Sequence, residues 1–224
     1  MSDNVRVMDW AAWHAAYDDP SSPLSGRLRC VQAHLSGALD RAPAGRISLV
    51  SLCAGQGRDV IGVLPGHPRR DDIHAVLVEA DERIAGPARE ATAARGLAQV
   101  EVRVADAGLV AGFADALPAD VLLLCGIFGN VSDADIERTI RAAPALCRPG
   151  ATVIWTRGRR PPDLTPQVRA WFGENGFGEV AFDALESSGS PDADHLISVG
   201  VSRLDRAPAA GWPDGRLFTF RGRD

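Results

Sequence analysis

Leu52-Cys53-Ala54-Gly55-Gln56-Gly57-Arg58-Asp59 is the stretch on which the reading of the fold turns. It follows directly on residues 47–52, a short apolar run with the length of a strand buried on both faces. Gly55 and Gly57 permit a tight turn and let a ligand approach bare backbone. Asp59 is placed to open a short helix. Strand, glycine turn and helix, in that order, form the opening unit of an α/β sheet whose ligand sits beyond the strand ends.

Outward from this stretch the alternation continues. Apolar runs at 75–78, 100–104, 121–124 and 151–156 predict further strands. The first ends in Glu79, the second just before Asp106, the third at Cys125-Gly126. Helical patterns separate them, over about 82–95 and 133–146, the latter with Ser132 and Asp135 placed as an N-cap and its N3 partner. Another helix opens with Thr165-Pro166 and closes near Gly176. Runs 180–185 and 196–204 read as two last strands, and 216–220 as a final strand after the Pro/Gly/Ala-rich loop 207–215. Continuous apolar strands between helices imply a mainly parallel sheet, covered on both faces and wound right-handed. The first 44 residues differ. Trp10, Trp13, His14 and Tyr17 share a helical face, Asp18-Asp19-Pro20-Ser21-Ser22-Pro23 breaks the chain, and a second helix at 25–40 carries Leu28, Val31, Leu35 and Leu39 as its apolar stripe. The organisation expected is a helical cap at 1–44 on an α/β domain at 45–224.

Bulk properties exclude several functions. The 224 residues suit one α/β domain, and 46% hydrophobic content is ordinary for a globular chain. A net charge of −5 and the lack of a basic run argue against nucleic acid as a partner. No apolar stretch approaches the roughly 20 residues a membrane helix needs, and residues 1–9 carry no signal-peptide pattern. Cys30, Cys53, Cys125 and Cys147 are too dispersed for a CxxC metal motif or a disulfide framework, so a cytoplasmic setting is expected. All 24 basic residues are arginine. Without lysine there is no pyridoxal Schiff base, no GxxxxGK[ST] phosphate loop and no Tyr–Lys pair of a short-chain dehydrogenase. His34, His67 and His74 show no partners at metal-ligand spacing, and no metal is expected.

The glycine turn suits a dinucleotide or S-adenosylmethionine, and the spacing separates them. A dinucleotide loop wants a third glycine where this chain has Val60. Asp59 also puts negative charge where a pyrophosphate would sit, a place S-adenosylmethionine does not use. Glu79, 22 residues past Gly57, can accept both ribose hydroxyls, with Ala80 beside it. Asp106 can accept from an adenine amino group while the Ala107 N–H meets a ring nitrogen.

The order Gly55-x-Gly57, Glu79, Asp106, Cys125-Gly126 resembles class I S-adenosylmethionine-dependent methyltransferases, over roughly residues 47–204. The resemblance implies a Rossmann-like, seven-stranded, mainly parallel sheet with one antiparallel edge strand and an N-terminal helical cap. It implies the glycines of the first motif, Gly55 and Gly57, at the methionine part, Glu79 at ribose and Asp106 at adenine, within a cofactor-binding set that also includes Cys53, Ala54, Gln56, Ala80, Ala107, Cys125, Gly126 and Phe128. In one respect the chain departs from the family: Cys53 stands where an acidic residue usually helps hold the cofactor's amino group. Backbone carbonyls near Cys53 and Cys125 are the expected substitute.

Methyl transfer asks a protein mainly to align nucleophile, methyl and sulfur and to exclude water, with a base only for a protonated acceptor. Cys125-Gly126-Ile127-Phe128-Gly129-Asn130 faces the methyl position and matches neither the Asp/Asn-Pro-Pro-aromatic motif nor the Pro-Cys pair of DNA methyltransferases. Phe128 is a candidate wall for the cofactor, and Asn130 a candidate acceptor contact or simply part of a turn. Cys125 reads as a small buried residue rather than a nucleophile. His14 and Tyr17 are candidate catalytic groups of an aromatic lid, or part of a helix packing on the core. Arg157, Arg159 and Arg160 suit an acidic acceptor, or a solvated loop. His195 flanks the last strand without chemistry. The function expected is in-line O- or N-methylation of a small molecule, with an NAD(P)-dependent oxidoreductase and a non-catalytic S-adenosylmethionine-binding protein as the alternatives.

Overall fold

Ile47–Leu52 forms β1, at the middle of the sheet, and its composition follows from where it lies. Ile47 and Leu49 point into one core while Val50 and Leu52 point into another. The same division splits Val121 and Leu123 from Leu122 and Leu124 in β4 (Ala119–Leu124). Period-2 alternation therefore meets an apolar environment on either side, and the strands read as unbroken apolar runs. The computed structural model describes residues 15–185, 196–206 and 215–221.

Seven strands hydrogen-bond in the order β3-β2-β1-β4-β5-β7-β6. The others are β2 (Ile73–Glu79), β3 (Val100–Val104), β5 (Cys147–Gly158), β6 (Phe177–Leu185) and β7 (Ile197–Leu204). All pairs are parallel except those of β7, which runs antiparallel to both β5 and β6. The chain winds outward from β1 to β3 and then returns to place β4 on the other side of β1. That reversal opens a crevice at the carboxyl ends of β1 and β4, where ligands of such sheets sit.

One face of the sheet is covered by α1 (Pro23–Arg41), α2 (Arg58–Val63) and α3 (Glu82–Ala94), through Val31, Leu35 and Leu39 of α1, Val60 and Ile61 of α2, and Ala88 of α3. The other is covered by α4 (Asp133–Leu146) and α5 (Thr165–Glu174), through Ile136, Ile140, Val168 and Phe172. Capping fixes where α1 and α4 start. The Ser22 hydroxyl accepts from the Ser25 N–H at 3.1 Å with Pro23 in the first turn, and Ser132 accepts from the Asp135 N–H at 3.1 Å, as its spacing foretold. Each such cap stabilises its helix by about 1 kcal/mol. Among the described residues no helix is long and apolar enough to cross a membrane.

Three sequence expectations change. Of the predicted first helix, the described residues show only a single 3₁₀ turn, Ala15–Asp18; Trp10, Trp13 and His14 lie outside them. Strand β6 starts at Phe177 rather than 180, with a bulge between Glu179 and Ala181. The predicted strand at 216–220 is reduced to one bridge, Arg216 to Leu109. Leu217 and Phe218 are adjacent, yet both are buried, which an alternating strand with one wet face forbids. The tail instead crosses the carboxyl rim of the sheet, where the Leu217 N–H donates to the Gly108 carbonyl at 2.7 Å.

Candidate functional site

The loop after β1 builds the centre of the site. Cys53, Gly55 and Gly57 all have left-handed backbone, with φ of +54°, +59° and +66°. For Cys53 that conformation costs about 1 kcal/mol. Gly57 is constrained for a second reason: a Cβ there would lie 2.8 Å from Leu77 Cδ1 and 2.9 Å from Ile61 Cδ1, so both side-chain ends would have to shift. Its bareness seats α2 tightly on β2, and Gly57 itself does not line the crevice.

Glu79 ties this loop to the next strand end. Its carboxylate is buried, Oε2 accepts from the Gly55 N–H at 3.1 Å and Oε1 from the Asp81 N–H at 2.9 Å. Each oxygen keeps further capacity to accept, and Glu79 lines the crevice. Asp106, at the end of β3, accepts from the Gly108 N–H at 2.8 Å through Oδ1, and its Oδ2 is 2.8 Å from Arg216 Nη1. Gly55, Glu79 and Asp106 thus meet on one rim.

The crevice they border has an empty volume of about 1020 Å³, counted out to open solvent. Cys53, Ala54, Gln56, Ala80, Ala107, Cys125 and Gly126 line it with them, as do Tyr17 and Asn130. Phe128 does not. Its ring is fully buried, 6.1 Å from Trp155 in the core, so its expected role as a cofactor wall is corrected. The aromatic wall comes instead from the tail, where Phe218 and Phe220 stack edge-on at 5.9 Å.

Asn130 closes a turn. Its Nδ2 donates to the Gly126 carbonyl at 2.8 Å and its own carbonyl accepts from the Arg221 N–H at 2.9 Å. Cys125 is half-buried at the crevice, and desolvation pushes its thiol well above its usual range, which disfavours the thiolate a nucleophile needs. The Tyr17 hydroxyl accepts from Arg27 Nη2, and the guanidinium groups of Arg27 and Arg58 lie 5.7 and 5.5 Å from its ring centroid. Burial raises its pKa, so the phenol is no general base near neutrality. His14 lies outside the described residues.

Sequence reasoning singled out Asp59 but missed Arg27, another charged group of the crevice. Asp59 is buried in the first turn of α2, where Oδ1 accepts from the Val60 N–H at 2.8 Å; burial raises its pKa, and Arg27 of α1 partly offsets the effect. Arg27 precedes Leu28 in the helical stripe, and nothing in its spacing marks it as facing a ligand. Arg157, Arg159 and Arg160 do not line the crevice. Arg157 donates to the Phe128 carbonyl, its Nε is buried without a hydrogen-bond partner among the described residues, and burial lowers its pKa. Arg159 pairs with Asp163 at 3.2 Å. Two of the histidines without sequence neighbours at metal-ligand spacing meet carboxylates in the fold: His34 Nε2 is 2.6 Å from Asp183, and His67 Nε2 is 3.3 Å from Asp40.

A strand order of 3-2-1-4-5-7-6 with β7 reversed, and a crevice at the β1/β4 reversal, define the class I methyltransferase fold. Solved structures agree. An O-methyltransferase family protein from Burkholderia thailandensis superposes with a TM-score of 0.65 at 17% identity, over 89% of this chain and 61% of that one, so the chain spans less than two thirds of that protein. Magnesium protoporphyrin IX methyltransferase from Synechocystis, with S-adenosylmethionine bound, gives 0.64 at 13% identity over 88% and 91% of the two chains. The 1,6-didemethyltoxoflavin-N1-methyltransferase of B. thailandensis, with S-adenosylhomocysteine bound, gives 0.60 at 16% over 92% and 94%. No protein-family model and no curated protein matches the sequence.

Proposed function

We propose that this protein binds S-adenosylmethionine in the β1/β4 crevice and transfers its methyl group to a small molecule. The observation that carries the reading is the meeting of Gly55, Glu79 and Asp106 on one rim of that crevice. The donor set suits this cofactor. Both Glu79 oxygens are fixed by backbone N–H groups and retain capacity for ribose hydroxyls. The floor carries a cation, Arg27, and an anion, Asp59, which complement the carboxylate and ammonium of an amino acid. Asp59 thereby supplies the acid missing at Cys53, and its place in the first turn of α2 disfavours a pyrophosphate.

When bound, the cofactor supplies an electrophilic methyl on a sulfonium. The residues of the chain hold, orient and dry the site. Phe218, Phe220, Ile84 and Val31 give the crevice apolar walls, and the Tyr17 ring, flanked by two guanidiniums, closes one side. His14 remains the candidate base, and Asn130 a candidate acceptor contact through its Oδ1. The acidic balance of the chain favours a small acceptor over nucleic acid, and two of the superposing enzymes are named for small acceptors.

Calorimetry on the full chain tests the reading. S-adenosylmethionine and S-adenosylhomocysteine should each bind at one site, and Glu79→Gln should weaken both by about tenfold or more, because its amide N–H₂ meets a backbone donor. No heat at millimolar ligand, or binding of NAD(H) in place of S-adenosylmethionine, overturns it.

A further inference from the structure

We propose that Cys30, His34 and Asp183 form a binding site for a borderline-soft divalent cation of the zinc type, on the flank of α1 that packs against β6. The site is separate from the crevice, and the inference does not rest on the proposed methyl transfer.

Cys30 and His34 are four residues apart on α1, so their side chains lie one above the other on the same face. Asp183 reaches that face from β6, 149 residues further along the chain. The thiol sulfur, an imidazole nitrogen and a carboxylate oxygen all lie within 4.8 Å of one another. No other triad of potential ligands meets this criterion among the described residues. The three groups already lie together: His34 Nε2 stands 2.6 Å from Asp183 Oδ2, and the Cys30 sulfur is within 4.8 Å of the ligand atoms of both. All three residues are half-buried, so the donors are held in place while water and ions keep access.

The donor chemistry selects the ion. Thiolate with imidazole and carboxylate is a set that suits zinc, whereas magnesium and calcium demand oxygen. Bonds of about 2.0–2.3 Å around a tetrahedral ion put neighbouring donors roughly 3.5 Å apart. The donor atoms bracket that spacing, with one pair at 2.6 Å and all three within 4.8 Å. Three protein donors leave one tetrahedral position for water or an exogenous ligand. An ion there would couple α1, which carries Arg27 and Val31 to the crevice, to the antiparallel edge of the sheet.

The test uses the full chain, freed of metal with a chelator and then titrated with zinc chloride by calorimetry and with cobalt(II) by absorption. One zinc per chain is expected, together with a cobalt spectrum showing a thiolate charge-transfer band and four-coordinate d–d bands. Cys30→Ser should remove the charge-transfer band, and His34→Gln and the near-isosteric Asp183→Asn should each weaken zinc by at least about tenfold. Circular dichroism verifies that each variant is folded, and a zinc-dependent rise in Tm should appear in the parent chain and vanish in all three. The absence of zinc binding at submillimolar concentration overturns the proposal. A cobalt spectrum without the thiolate band, or affinity undiminished in the folded variants, does the same.

Discussion

Asp59 is a carboxyl group kept in a place that disfavours its charge. Desolvation raises its pKa above the ordinary 3.8, against the opposing pull of the Val60 N–H and of Arg27. For an acid shifted in this direction the native state holds its proton more tightly than the unfolded chain. Stability is therefore unpenalised below pH 3.8, falls as pH climbs through the interval up to the folded value, and stays reduced above it. Asp59→Asn, which keeps an oxygen for the Val60 N–H, should raise the Tm at neutral pH and flatten the decline above pH 3.8. The same variant should bind S-adenosylmethionine more weakly. Thermal melts across pH beside calorimetry check both halves, and a variant that is neither more stable nor weaker in binding refutes the assigned role.

At the scale of elements, the close fit of β5 on β7 rests on one missing side chain. Trp155 and Gly200 are direct antiparallel partners, and a Cβ on Gly200 would lie 2.1 Å from Trp155 Cε2. The indole is buried and stacked on Phe172 at 5.8 Å, so it has no room to retreat. Gly200→Ala should destabilise the fold by about 3 kcal/mol, the upper end of the cost of overpacking. Trp155→Phe in the same background should recover part of that loss, and a double-mutant cycle in denaturant measures the coupling. The elements themselves were largely legible. Strands β1, β2, β4 and the 151–156 part of β5 declared themselves because both their faces are apolar, the edge strand β3 by its three valines, and the helix at 133–146 because Ser132 caps it where the pattern begins. The acidic and glycine positions at the strand ends were legible for the same reason, since they break apolar runs at fixed places. Arg27, Phe218 and Phe220 were hidden, because their role depends on chain segments far apart in sequence coming together, and no local period encodes that. The pairing of His34 with Asp183 was hidden likewise, although the Cys30-x3-His34 spacing on a helix was there to be read.

For the whole molecule, the tail at 215–221 joins the far end of the chain to the rim of the sheet. Arg216 meets Asp106 across 110 residues of sequence, Leu217 and Phe218 enter the core beneath α4, and the Thr139 hydroxyl donates to the Leu217 carbonyl at 3.2 Å. A chain ending before residue 215 exposes the apolar surface these side chains cover. Two fully buried side chains are worth about 3–6 kcal/mol, and a loss of that size should appear as a lower denaturation midpoint. S-adenosylmethionine affinity should fall with it, since Phe218 and Phe220 are walls of the crevice. Unchanged affinity in a folded truncation would remove the tail from the site.

The double grip of Glu79 on Gly55 and Asp81 has a thermodynamic corollary. The two loops that flank the ribose position are pinned to each other by the protein's own hydrogen bonds, so their ordering entropy is spent in folding rather than in docking. A nucleoside entering the crevice finds a rigid receptor. Hydrogen exchange at the Gly55 and Asp81 amides should accordingly be slow before ligand is added and change little afterwards.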